Sequence, residues 1–145
     1  MKKKIKIRPI SIILSALFLS IFGGVWYGWW FSDVQVEAHR YTPEDYANNS
    51  PLWYLGGILI SLFISWGLGL MVRLQGLSGF KGGIKASIKA AIGFGIPLVS
   101  YPYVFSPLHD FTLYMVGLFQ IVIAWIIAGA IIGSMAIDES TPHES

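Results

Sequence analysis

Three histidines, four loop acids and one amide within an apolar run are the residues here whose types invite a chemical role. His39, His109 and His143 are scattered, and no two stand at the spacing that sets two imidazoles on one helix face for a metal ion. The 145 residues include no cysteine, which excludes disulfides, thiolate metal sites and Cys nucleophiles. Neither a metal nor a cofactor is expected. His39 and His109 both fall in connections on the same predicted side, where they could meet beside Asp33 or Asp110 as a pH-sensing or weak metal-binding pair. Solvated loop histidines are the plainer account. Asp33, Glu37, Glu44 and Asp45 crowd one connection, but acids in the first turn of a helix are already explained by its positive end. No Gly-x-Ser-x-Gly elbow and no His-Glu-x-x-His is present, so no catalytic residue is assigned and the chain is not expected to be an enzyme.

The stretch Arg73 to Gly83 is Gly-rich and basic, yet it lacks the Gly-Lys-Ser/Thr spacing and the preceding strand of a phosphate-cradling loop. It reads as a flexible turn. Four residues remain as candidates for a ligand site or polar core. Lys89 is an ionisable group well inside an apolar run, where such a residue is by default a candidate site. Gln120, Ser61 and Ser20 fall at a common depth of about 14 to 16 Å, counted at 1.5 Å per residue from their outer helix ends. Pro97 cannot donate to the carbonyl four residues earlier, so Gly93 should offer an oxygen to Gln120. Gln120 is expected to face the interior and bond Gly93, Ser61 or Ser20, because an unsatisfied polar group in hydrocarbon costs several kcal/mol.

These residues are set on four apolar runs. With 54% hydrophobic and 12% charged residues, against about 25% charged in soluble proteins, the class is an integral membrane protein. Its fold is all-α, a polytopic bundle of four transmembrane helices with short loops, in one domain over residues 1–145. The spans are placed at 9–31, 52–72, 84–105 and 111–136, with an acidic outer loop at 32–51. The first run is too long for a signal-peptide h-region and lacks an Ala-x-Ala-like cleavage site, so it is expected to remain uncleaved. Pro97 and Pro102 should kink the third span. Small residues recur at Gly57, Ser61, Ser65 and Gly69, and again at Gly117, Ala124, Ala128, Gly129 and Gly133, as close helix packing requires. In the outer loop, Thr42-Pro43-Glu44-Asp45 resembles a helix start capped by Thr42, and the tail from Ile137 reads as frayed.

Every Lys and Arg except Arg40 then falls on one side, which is expected to be cytoplasmic, with both termini there, in the inner (plasma) membrane. Trp26, Tyr27, Trp29, Trp30, Trp53, Tyr54 and Tyr101 fall at the outer ends, as an interfacial belt. Lys81, Lys85 and Lys89 form a basic stripe that would snorkel to anionic lipid headgroups, the expected partner besides a second copy of the chain. Nucleic acid is not expected as a partner.

The run Phe22-Gly23-Gly24-Val25-Trp26-Tyr27-Gly28, followed by a polar loop with the Pro43-Glu44-Asp45 helix start, resembles a bacterial family catalogued as domain of unknown function 1761. The resemblance covers nearly the full length and includes a small-residue stretch like Ala128-Gly129-Ala130-Ile131-Ile132-Gly133 in the last span. Many members continue the signature with a Pro-Leu-Phe-Gly-like turn, where this chain has Trp29-Trp30-Phe31-Ser32. The resemblance implies a four-span fold and a membrane location, but no activity. The function expected is that of a structural, regulatory or ligand-binding membrane component without catalysis. The alternative is an oligomeric transporter of a small solute or ion, whose path would be lined by Lys89, Gln120 or the span serines.

Overall fold

The computed structural model describes residues 3–47, 50–107 and 109–140. His143 lies outside them. Four helices are long and apolar enough to cross a membrane, Pro9–Trp30, Leu52–Leu74, Gly79–Phe105 and Phe111–Ser134. They are called the first to fourth spans below. Strand β1 (Ile5–Lys6) precedes the first and β2 (Ile137–Asp138) follows the fourth, and the two pair antiparallel with Ile5 opposite Asp138. Both chain ends therefore meet at one end of the bundle, the near end. The connection between the second and third spans lies there too, since Gly76 approaches the Lys3 backbone.

The fourth span is the hub, packed against each of the other three. Its Ala124, Ala128 and Ile132 are buried among Leu19, Leu68, Val72, Ala86, Ala90 and Ala91. The outward faces carry large exposed apolar side chains, among them Leu17, Ile21, Leu59, Phe63, Ile92 and Leu98. An apolar surface this extensive is the surface that lipid covers, and helices are the form in which backbone polar groups are satisfied there without water.

Small residues set the helix spacing. Gly79, Gly83, Ser87, Ala91 and Gly95 recur every four residues along the third span and face Gly129, Gly133 and Trp125 of the fourth. A Cβ on Gly83 would run into the Gly129 carbonyl, and one on Gly133 would lie 2.5 Å from the Gly83 Cα. The third span thus begins at Gly79 rather than at residue 84, and Gly79 to Gly83 belong to a helix rather than to a flexible turn. Glycine serves both purposes there: Gly79 takes the left-handed φ of 76° at the helix start, and Gly83 marks close approach. In the second span Ser61, Ser65 and Gly69 are buried as expected, whereas Gly57 faces open space.

Two π-helical turns interrupt the spans, at Trp26–Trp30 and at Ala91–Gly95. The second lies just before Pro97, so the third span changes its winding where proline removes a donor. Beyond it, Ile96–Phe105 buries no residue. At the far end an unforeseen helix, Ser32–His39, ends on Arg40 in the left-handed region (φ 55°). A five-residue helix, Pro43–Ala47, follows. Its cap runs opposite to the expected direction: Thr42 donates from both N and Oγ1 to Asp45 Oδ2, at 2.7 and 2.8 Å. The Thr42 bonds hold the Asp45 carboxyl below its usual pKa.

The tail is not frayed through residue 140. Besides pairing in β2, it contributes Glu139 N–H to the Lys4 carbonyl and ion pairs from Asp138 to Lys3 (2.8 Å) and from Glu139 to Lys4 (3.6 Å).

Candidate functional site

Polar side chains from five separate segments converge at the far end, around a cavity of about 320 Å³. Tyr27 comes from the first span, Gln35 and His39 from the short helix, Tyr103 from the third span, His109 and Asp110 from the last connection, and Tyr114 from the fourth span. Leu98, Val99 and Leu113 supply apolar wall. Gly117 keeps the floor open, since a Cβ there would lie 3.3 Å from Val99 Cγ1 and 3.4 Å from the Tyr27 hydroxyl.

The two histidines are held alike. His39 Nδ1 lies 3.1 Å from the Gln35 carbonyl, and His109 Nδ1 lies 2.7 Å from the Tyr103 carbonyl. A carbonyl only accepts, so each Nδ1 carries the proton and each Nε2 of the neutral ring is left as an acceptor. His109 has φ 33°, a region costly for a side-chain-bearing residue and tolerated where surrounding bonds enforce it. Those bonds are its own to Tyr103 and the cap beside it, where Leu113 N–H donates to Asp110 Oδ1 at 2.7 Å. Tyr103 and Tyr114 stack with ring centroids 4.6 Å apart, and Tyr114 Oη shares a 3.1 Å hydrogen bond with Ser100 Oγ.

His39, His109 and Asp110, which loop position allows to meet, all line this one cavity, and Asp33, the other acid weighed with them, does not. Among the described residues, no group of three or more His, Cys, Asp or Glu side chains is placed to hold a metal ion. Gln35, Tyr27, Tyr103 and Tyr114 were missed as site residues. They come from separate elements, so no spacing announces them.

The expected midplane layer does not close. Ser61 Oγ donates to the Gly57 carbonyl of its own helix at 3.0 Å. The Ser20 hydroxyl is buried with no hydrogen-bond partner among the described residues. Gly93 is exposed, and a Cβ there would meet nothing within 4 Å. Gln120 does turn inward, toward the first span: its Nε2 lies 3.9 Å from where a Gly23 Cβ would be. A direct interhelical serine bond lies elsewhere, between Ser65 Oγ and Ser15 Oγ at 3.0 Å, both residues fully buried. Lys89 is exposed and reaches the Gln75 side-chain oxygen at 2.9 Å, toward the near end. Trp26 is turned inward: it is buried, packs among Phe22, Trp30 and Phe31 in tilted and edge-on contacts, and donates from Nε1 to the Val116 carbonyl at 3.2 Å. Trp29, Trp53 and Tyr101 are exposed as the belt requires.

A bundle of four membrane-spanning helices with polar residues gathered at its far end defines a multi-pass membrane protein. The chain belongs to the family described as protein of unknown function (DUF1761), whose model matches residues 10–133. Comparison with curated proteins and with solved structures finds no match.

Proposed function

We propose that the chain is a ligand-binding component of the plasma membrane, without catalysis of its own, and that its ligand is a small organic amine held in the far-end cavity. The carrying observation is the convergence there of His39, His109, Asp110 and Gln35, whose Nε2 atoms, Oδ2 and amide oxygen have no hydrogen bond among the described residues, beside a stacked tyrosine pair. Acceptors and aromatic faces together suit a protonated amine. The volume suits a small ligand. The surrounding far end adds Asp33, Glu37, Glu44 and Asp45 against Arg40, a field that draws cations. A binding role is favoured over a catalytic one because these groups are committed to structural bonds: both Nδ1 atoms to carbonyls, Asp110 to a helix cap, Tyr114 to Ser100.

The near end is the cytoplasmic one in this reading, with both termini inside. Its support is charge: among the described residues, the Lys and Arg side chains other than Arg40 belong to the near-end segments or point there.

The test is a calorimetric titration of the purified protein in detergent with a series of primary to quaternary amines and the matching neutral alcohols. An amine should bind, its alcohol isostere should not, and Asp110→Asn, which can still cap the helix, should weaken binding about tenfold. Equal binding of alcohols, or an unchanged affinity in Asp110→Asn, would overturn the assignment.

A further inference from the structure

A second and larger groove, of about 990 Å³, lies at the opposite end and shares no lining residue with the first. It runs between β1 with the start of the first span and the last two turns of the second. Ile12, Ile13, Trp66 and Leu70 form apolar wall, and the charged lining is Lys3, Lys4, Lys6 and Arg73 with the single acid Glu139. Gly69 lies in the lining and lets the first span approach closely there: a Cβ on it would lie 2.8 Å from Ile12 Cδ1. From Trp66 to Arg73 the second span rises about 10 Å, so the lining changes from apolar to cationic over about the length of one headgroup and the first acyl carbons.

The cations divide into two kinds. Lys3 and Lys4 are already neutralised, by Asp138 and Glu139. Lys6 and Arg73 are exposed, and among the described residues neither has an acid within ion-pair distance. Below them the wall is open to the bilayer side, where Ile13 and Trp66 are 54% and 57% exposed. Unneutralised cations at the mouth and lipid-facing apolar side chains beneath are complementary to one molecule with the reverse polarity, an anionic headgroup on a hydrocarbon chain.

We propose that this groove is a specific site for an anionic phospholipid, its phosphodiester held by Lys6 and Arg73 and one acyl chain laid along Ile13, Leu70 and Trp66. The β1–β2 pair is then part of the site, because it fixes Lys6 beside the second span rather than leaving it on a free terminus. This assignment does not depend on the far-end cavity.

Native mass spectrometry of the protein released from micelles doped with phosphatidylglycerol, or with phosphatidylcholine of the same chains, tests it. One phosphatidylglycerol should be retained and phosphatidylcholine should not. The double variant Lys6→Gln with Arg73→Gln should bind it about 30-fold more weakly, the effect of about two surface cations. Lys85→Gln with Lys89→Gln, which removes equal charge outside the groove, should leave affinity within about twofold, since each near-surface cation outside the site acts only through screened charge. Inorganic phosphate at millimolar concentration should not displace the lipid, since it lacks the acyl chain. Equal retention of phosphatidylcholine, equal losses in the two double variants, or displacement by phosphate would each overturn the proposal. Circular dichroism of both variants keeps a folding defect from being read as a binding one.

Discussion

Gly133 of the fourth span faces Gly83 of the third so closely that a Cβ on Gly133 would lie 2.5 Å from the Gly83 Cα and 2.6 Å from the Gly79 carbonyl oxygen. These are backbone atoms, which cannot swing aside as a side-chain tip can. Gly133→Ala must therefore push the two helices apart. The expected loss is about 1 to 3 kcal/mol, set against a helix-propensity gain of up to about 1 kcal/mol. Gly57→Ala, with nothing within 4 Å of the new methyl, should be neutral or slightly stabilising. Reversible unfolding in mixed micelles measures both, and equal effects would refute the packing account.

Two buried serines should answer differently to the same change. Ser65 bonds Ser15 across the first and second spans, and Ser65→Ala should cost about 0.6 kcal/mol, the average for such a bond within a membrane bundle. A double-mutant cycle with Ser15→Ala isolates that energy. Ser87 Oγ is buried against the fourth span without a hydrogen-bond partner among the described residues. Ser87→Ala removes an unsatisfied group and should be neutral or stabilising by up to about 1 kcal/mol.

The paired termini should separate in acid. Lys3 and the Ser140 bonds hold Asp138 at a pKa of about 2, below the 3.8 of an unperturbed aspartate. A depressed carboxylate stabilises the folded arrangement above its unfolded pKa, and that contribution is lost as pH falls through the folded value. The window thus runs from about 4 down to about 2. Distance measurements between spin labels at residues 4 and 139 should report the opening in that window, and Lys3→Gln should move it upward. An opening centred near neutral pH would contradict the assignment.

Trp26 should behave as a core residue rather than an interfacial one. Trp26→Phe keeps a ring among Phe22, Trp30 and Phe31 but loses the bond to the Val116 carbonyl, at a cost of about 1 kcal/mol. Trp26→Ala should cost about 3 to 5 kcal/mol. Trp29, 76% exposed, should tolerate either change with little loss of stability.

Much of this architecture is legible in one dimension because lipid imposes a one-dimensional requirement. A span must be apolar for about 20 residues, so composition alone places Pro9–Trp30, Leu52–Leu74 and Phe111–Ser134 to within two residues of where they lie. Family membership follows from a local signature in the same way. At the start of the third span glycine serves two opposite ends, freedom at Gly79 with its φ of 76° and closeness at Gly83, and residue type does not distinguish them. The opposed glycines Gly129 and Gly133 do, but only once the third and fourth spans are known to pack there.

The two sites divide along the same line. His39, His109 and Asp110 could be grouped from loop position and span count, since an even number of crossings returns both connections to one end. Which tyrosines complete that cavity, that Gln120 turns to Gly23 while Ser15 bonds Ser65, and that the basic start and acidic tail pair as strands depend on helix rotation and register. Hydropathy specifies how deep a residue sits in the membrane. It does not specify which neighbour a helix turns toward, because lipid is equally apolar on every side and only side-chain packing between particular helices breaks that symmetry.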